Sequence, residues 1–297
     1  MKSKHLGFFA LLGTSLIYGS FGVIVRVLAP YFTPYQMTFA RSIIVFSILA
    51  LVLYLKKVSV LKIPKRLFFP LFVHSVTFAI TIFLFTYAVV LTSLSKAVFS
   101  FYSTTLLTSL LVGIIFFKEK LTKRKSISLA FAFFGLIFFI LPRGIETIGF
   151  GMVLTGIAGI GDVVTNSMKK YLGGKVDKLV LVLYQMLAGL IVGLLLMFMT
   201  NQFSILSPLD FYSIFWILFF SLNFFLLSYL TVYGFQHFDL NLGTIILSLE
   251  LVWATLIGYI WFHENLNIYQ IIAIVMICIS IVTMNLTLGN KNQKNLT

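Results

Sequence analysis

Two carboxylates stand inside long apolar stretches of this 297-residue chain, and they are the groups most able to do chemistry there. Glu250 lies near the middle of NLGTIILSLELVWATLIGYIWFHENLN, residues 241–267, and Asp162 lies in GIAGIGDVVTNS. A charge at mid-bilayer costs roughly 2.5–3.5 kcal/mol on insertion scales, so such a group faces protein or a wet path rather than lipid. Two roles follow for Glu250: it contacts a solute amine or carries a coupling proton, or it is a neutral carboxyl bonded to a neighbouring helix. On a helix it shares its face with Trp253, Ala254, Ile257 and Trp261, a mixture suited to a cavity wall.

Other polar groups recur at comparable depth. Arg41 follows Pro34 by seven residues, about 10 Å into a helix that begins there, which is deep for a side chain that merely snorkels. Arg26 and Lys96 fall nearer a span boundary; together with Arg41 they would bias an outer vestibule toward anionic solutes. Tyr102, Thr105, Thr108 and Ser109 form a polar stripe expected to face Glu250, although such hydroxyls also bond to their own helix carbonyls. Gln185, Asn223 and His74 are single polar groups in their segments, more often interhelical bonds than ligand contacts. Glu119 and Glu264 are expected to anchor helix ends. Gly156, Gly159 and Gly161, with Gly189 and Gly193, read as close-packing surfaces.

The elements that must position these groups are membrane spans. The chain is 60% hydrophobic and 10% charged, which a soluble domain of this size could not bury. Continuous rather than alternating apolar runs select helices over a barrel. Ten spans of ~20 residues are expected: 6–29, 34–55, 68–91, 96–117, 126–142, 147–168, 178–199, 211–235, 240–262 and 268–288. The fourth and ninth are related. In one ungapped register Ser103, Leu106, Gly113 and Glu119 fall on Ser248, Leu251, Gly258 and Glu264. Five spans per half is odd, so the second half enters upside down: an all-α polytopic protein of two inverted repeats, 1–144 and 145–290, with a polar tail at 291–297.

Charge placement supports that layout. With the N-terminus cytoplasmic, nearly all of the lysines and arginines behind the net charge of +14 fall in inner loops, Lys169 and Lys170 among them. Both termini are then cytoplasmic, in a cytoplasmic membrane. Basic residues scattered over short loops make no phosphate track, so nucleic acid is excluded as a partner. Lys2 and Lys4 before an apolar run imitate a signal peptide, but the run continues as a retained span. The single cysteine, Cys278, allows no intrachain disulfide and is expected as a buried thiol.

With Tyr18-Gly19-Ser20 in the opening span, Arg41 in the second, and spans closing on FFKEKLT and WFHENLN, the chain resembles the EamA family of the drug/metabolite transporter superfamily over essentially its whole length. The resemblance implies movement of small metabolites through a cavity between two five-helix halves. Where family members often carry proline in the fourth and ninth spans this chain has Leu106 and Leu251, which argues against kinked helices at that level.

No metal-ligand spacing, nucleophile elbow or Walker motif is present, so no cofactor or metal is expected and primary active transport by this chain alone is excluded. Gly159-Ile160-Gly161-Asp162 matches the Gly-x-Gly-Asp signature of intramembrane aspartyl proteases. That chemistry needs a second aspartate, and the only candidate, Asp239, sits at a span end. The reading is therefore a secondary transporter, not an enzyme, for an amino-acid-like or amphipathic solute, by efflux or exchange, as a monomer or homodimer. A proton or counter-solute is the possible coupling partner. Glu250, Trp253, Tyr102, Thr105, Arg41, Tyr18, Asp162, Asn223 and Gln185 are its candidate pathway residues.

Overall fold

The computed structural model describes residues 2–60, 62–92, 94–140, 149–204, 208–262 and 267–293. They form eleven helices along ten membrane paths: α1 (Lys2–Leu28), α2 (Pro34–Leu55), α3 (Lys65–Leu91), α4 (Leu94–Ile115), α5 (Lys123–Ile140), α6 (Phe150–Leu172), α7 (Lys178–Thr200), α8 (Phe211–His237), α9 (Leu240–Leu247), α10 (Glu250–Phe262) and α11 (Ile268–Gln293). Seven of these paths are long and apolar enough by themselves to cross a bilayer. α5, α6 and α11 complete the ten; the apolar part of α11, Ile268–Thr283, is shorter, and α6 carries Asp162, Lys169 and Lys170. Helix starts follow local chemistry. Thr33 and Gln36 form a capping box ahead of Pro34, and Asp210 with Ser213 does the same for α8, satisfying amides that a helix leaves open.

The two halves pack by exchange. α3 lies on α6 as α8 lies on α1, and α2 pairs with α7 and α5 with α11, which is the pattern of an inverted repeat. Between α5 and α11 the contact is reciprocal: Ser128 Oγ donates to the Ser280 carbonyl and Ser280 Oγ to the Ser128 carbonyl, each at 2.7 Å. Both serines are fully buried between α5 and α11.

Small residues set the helix separations, as expected. A Cβ at Gly159 would lie 2.4 Å from the Phe101 carbonyl oxygen, and one at Gly193 would lie 2.8 Å from the Phe39 amide nitrogen. Without a hydrophobic drive between helices in lipid, such backbone approach supplies the packing that holds them.

Three expectations are corrected. The ninth span is not one helix: Ser248 and Leu249 separate α9 from α10 even without proline. The Ser248 hydroxyl donates to the Ile245 carbonyl at 2.7 Å, and the Leu249 and Leu251 amides bond three residues back, so a serine-assisted tight turn replaces the kink. Lys169 is no loop residue; α6 extends to Leu172, and this lysine is fully buried within it. Cys278 is exposed on the outward face of α11 rather than buried. That helix also runs through 291–293, the first residues assigned to the polar tail. Glu264 lies outside the described residues.

Candidate functional site

The break in the ninth path places Glu250 at the first turn of α10, at the meeting point of the two halves. Its carboxylate is 2% exposed, and Oε2 accepts the Tyr102 hydroxyl of α4 at 2.5 Å. Asp162 of α6, 6% exposed, faces the same small cavity. The remaining wall is aromatic and hydroxylic: Tyr18 and Phe21 from α1, Thr81, Ile82 and Phe85 from α3, and Phe101 from α4. Two carboxyls and a phenol can bind a cationic nitrogen or pass a proton, and the rings can cover an apolar substituent. The enclosed space is only about 10 Å³, room for roughly one water. The site is closed in this conformation. Larger cavities exist, one of about 800 Å³ by Lys175, Lys178 and His237 and one of about 270 Å³ between α3 and α7, but neither holds an acid of the centre.

The other sequence candidates are distributed differently. Trp253 packs α10 on α1: its indole N–H donates to Ser15 Oγ at 3.2 Å, and Gly19 leaves room for its Cβ. Thr105 does not face Glu250. Its hydroxyl donates to the Phe101 carbonyl at 2.7 Å and reaches the Gly159 carbonyl at 3.2 Å, while Thr104 and Ser100 bond the Gly156 and Met152 carbonyls. The hydroxyl stripe of α4 thus joins it to α6. Asn223 donates to its own helix at Phe219 and is partly exposed, outside the cavity lining. Gln185 is fully buried in α7, also outside that lining, and neither atom of its amide has a partner among the described residues.

Arg41 is fully buried in a cage of rings, its guanidinium 4.5 Å from the Phe224 centroid, 5.2 Å from Phe220 and 5.5 Å from Phe21. Its amino groups reach Thr86 and Thr38 hydroxyls at 3.3 and 3.2 Å, Nε has no partner, and no carboxylate pairs with it among the described residues. Phe21 is shared: one ring borders both the guanidinium and the acid cavity.

Sequence reasoning missed Lys169. Its ammonium donates to Asn166 Oδ1 at 3.0 Å and Thr231 Oγ1 at 3.1 Å, and Asn166 Nδ2 donates to Asp162 Oδ2 at 2.7 Å. The spacing 162, 166, 169 on one helix face was the available signal. The adjacent basic residue Lys170 concealed it, because the pair reads as a loop boundary.

The sequence profile of the EamA-like transporter family matches residues 5–141 and again 147–286. The chain belongs to this family. It is thus a multi-pass membrane transporter of the drug/metabolite transporter superfamily. A solved structure described only as a crystal structure of a protein shares its fold, with a TM-score of 0.75 at 16% identity over 96% of this chain and 97% of the other. No curated protein matches the chain. For an EamA-like transporter the aspartyl-protease alternative finds no support: Asp239, the second aspartate it needs, is an ion-pair partner of Lys125 at 3.1 Å beside the start of α9.

Proposed function

We propose that this chain moves a small amine-bearing organic solute, amino-acid-like or amphipathic, across the cytoplasmic membrane by alternating access. One observation carries the reading: Glu250 and Asp162, from different helices of the second repeat, share a cavity whose remaining wall belongs to the first repeat. A site at that seam opens to either side when the halves rock. The present space is too small for a solute, which fits a conformation closed on both faces. In this reading 1–144 and 145–290 are the two repeats and 291–297 the tail, and both termini are cytoplasmic by the lysine and arginine distribution. Tyr18 and Tyr102 join Glu250 as binding residues, Asp162 lines the cavity beside it, Trp253 and Thr105 hold their helices, and Arg41 guards the outer side next to Phe21. The solute leaves the cell, driven by its own gradient or by exchange for a proton or counter-solute at Glu250. One chain supplies every group of the site.

The test is a stabilisation screen of purified protein against amines and amino acids, followed by flux of the best solute into liposomes. Flux is expected to fall at least tenfold in Glu250→Gln. Unchanged flux in both Glu250→Gln and Asp162→Asn would overturn the reading.

A further inference from the structure

The centre holds two carboxyls, yet among the described residues only one of them is tied to a cation. Asp162 Oδ2 is bonded by Asn166 Nδ2, and Asn166 Oδ1 by Lys169 Nζ, so an amide bridges carboxylate and ammonium along one face of α6. Its two ends are used in the only sense that serves both charges, nitrogen to the anion and oxygen to the cation. Lys169 cannot turn away to water. It is fully buried, its remaining bond goes to Thr231 of α8, whose own hydroxyl bonds back to Leu227, and the Phe78 ring of α3 lies 5.4 Å from the ammonium. Nearby, His74 of α3 places Nδ1 3.4 Å from the Thr165 carbonyl. Glu250 has a different partner, the neutral Tyr102 phenol. Arg41 lies against the Phe21 ring, outside the cavity lining, and is held by threonine hydroxyls.

We propose that Lys169, acting through Asn166, is the specificity-determining residue that limits this site to one mobile positive charge. In a low-dielectric interior an uncompensated charge is costly, so the site favours the ligand charge that completes its neutrality. Lys169 answers Asp162 permanently. Glu250 alone then remains for a monocation, whether a solute amine or a proton. A dication would bring one charge with no counterpart, and so would be rejected although its first nitrogen fits. Removing the ammonium frees Asp162 as a second cation contact.

This inference rests on the amine reading above and is tested by charge selectivity. Binding of butylamine and of 1,4-diaminobutane to the purified full-length protein is compared by competition and melting shift. The monoamine is expected to bind the unaltered protein at least tenfold more tightly than the diamine. Lys169→Gln and Asn166→Leu are each expected to move that ratio at least tenfold toward the diamine, Lys169→Arg to keep it, and Thr231→Val, which removes only the outer bond, to leave it in place. A purely structural lysine would lower melting temperature in Lys169→Gln and Thr231→Val alike and leave the ratio unmoved. A ratio unchanged in a folded Lys169→Gln or Asn166→Leu protein overturns the inference while leaving the amine reading intact. Binding of neither amine to the unaltered protein overturns both.

Discussion

Tyr102 donates its phenolic hydrogen to Glu250 at 2.5 Å across the seam between α4 and α10, joining the two repeats through one buried contact. Neither residue reaches bulk water, being 1% and 2% exposed.

Removing that phenol strands the carboxyl. Tyr102→Phe is expected to destabilise the protein by about 1–3 kcal/mol, the cost of leaving a buried polar group unsatisfied. The double change with Glu250→Gln should cost less than the sum of the single changes. Melting or denaturant unfolding in one detergent measures the cycle, and strict additivity would show that the two side chains do not interact.

Arg41 separates function from stability. A buried cation lacking a carboxylate partner pays for desolvation with only hydroxyls and ring faces, so Arg41→Met is expected to melt at or above the temperature of the unaltered protein. Flux should nevertheless drop, because the guarded outer side loses its charge. A methionine variant that melts far lower yet transports normally contradicts this placement.

Helix approach along α6 is tight at Gly159, within the helix, and open at Gly149, its N-cap. Gly159→Ala forces its methyl against the Phe101 carbonyl and the Thr104 and Thr105 hydroxyls, and should cost about 1–3 kcal/mol. Gly149→Ala meets nothing within 4 Å and should leave the melting temperature unchanged. Equal effects at both positions would refute the packing argument.

Glu119, just beyond the end of α4, anchors the start of α9. It accepts from Lys170 Nζ at 2.6 Å and from the Leu240 and Asn241 amides at 2.7 and 3.4 Å, so it both pairs a lysine and caps the exposed amides of α9. Glu119→Ala is expected to destabilise by about 1–3 kcal/mol through those stranded donors. Solute selectivity should not change, which a binding assay alongside the melt would show.

Much of this protein was legible from its residues. Runs too apolar for water and too long for core helices determined ten membrane paths, and the matched register of 96–122 with 241–267 determined the duplication and its inversion. The anchoring role of Glu119 and the packing role of the glycines followed from residue type and position, since close approach in lipid needs small residues and helix ends need caps.

Side-chain partners were decided only by tertiary structure. The sequence put Tyr102 and Thr105 together opposite Glu250; Tyr102 does reach the carboxylate, but packing turned Thr105 onto Gly159 of α6. It read Lys169 with Lys170 as a loop edge, whereas the fold gave one to Glu119 and buried the other behind Asn166. The physical reason is common to both cases. Hydrophobicity and period determine where a helix lies in the bilayer, but which face meets which neighbour depends on rotation about its axis, and contacts far along the chain set that rotation.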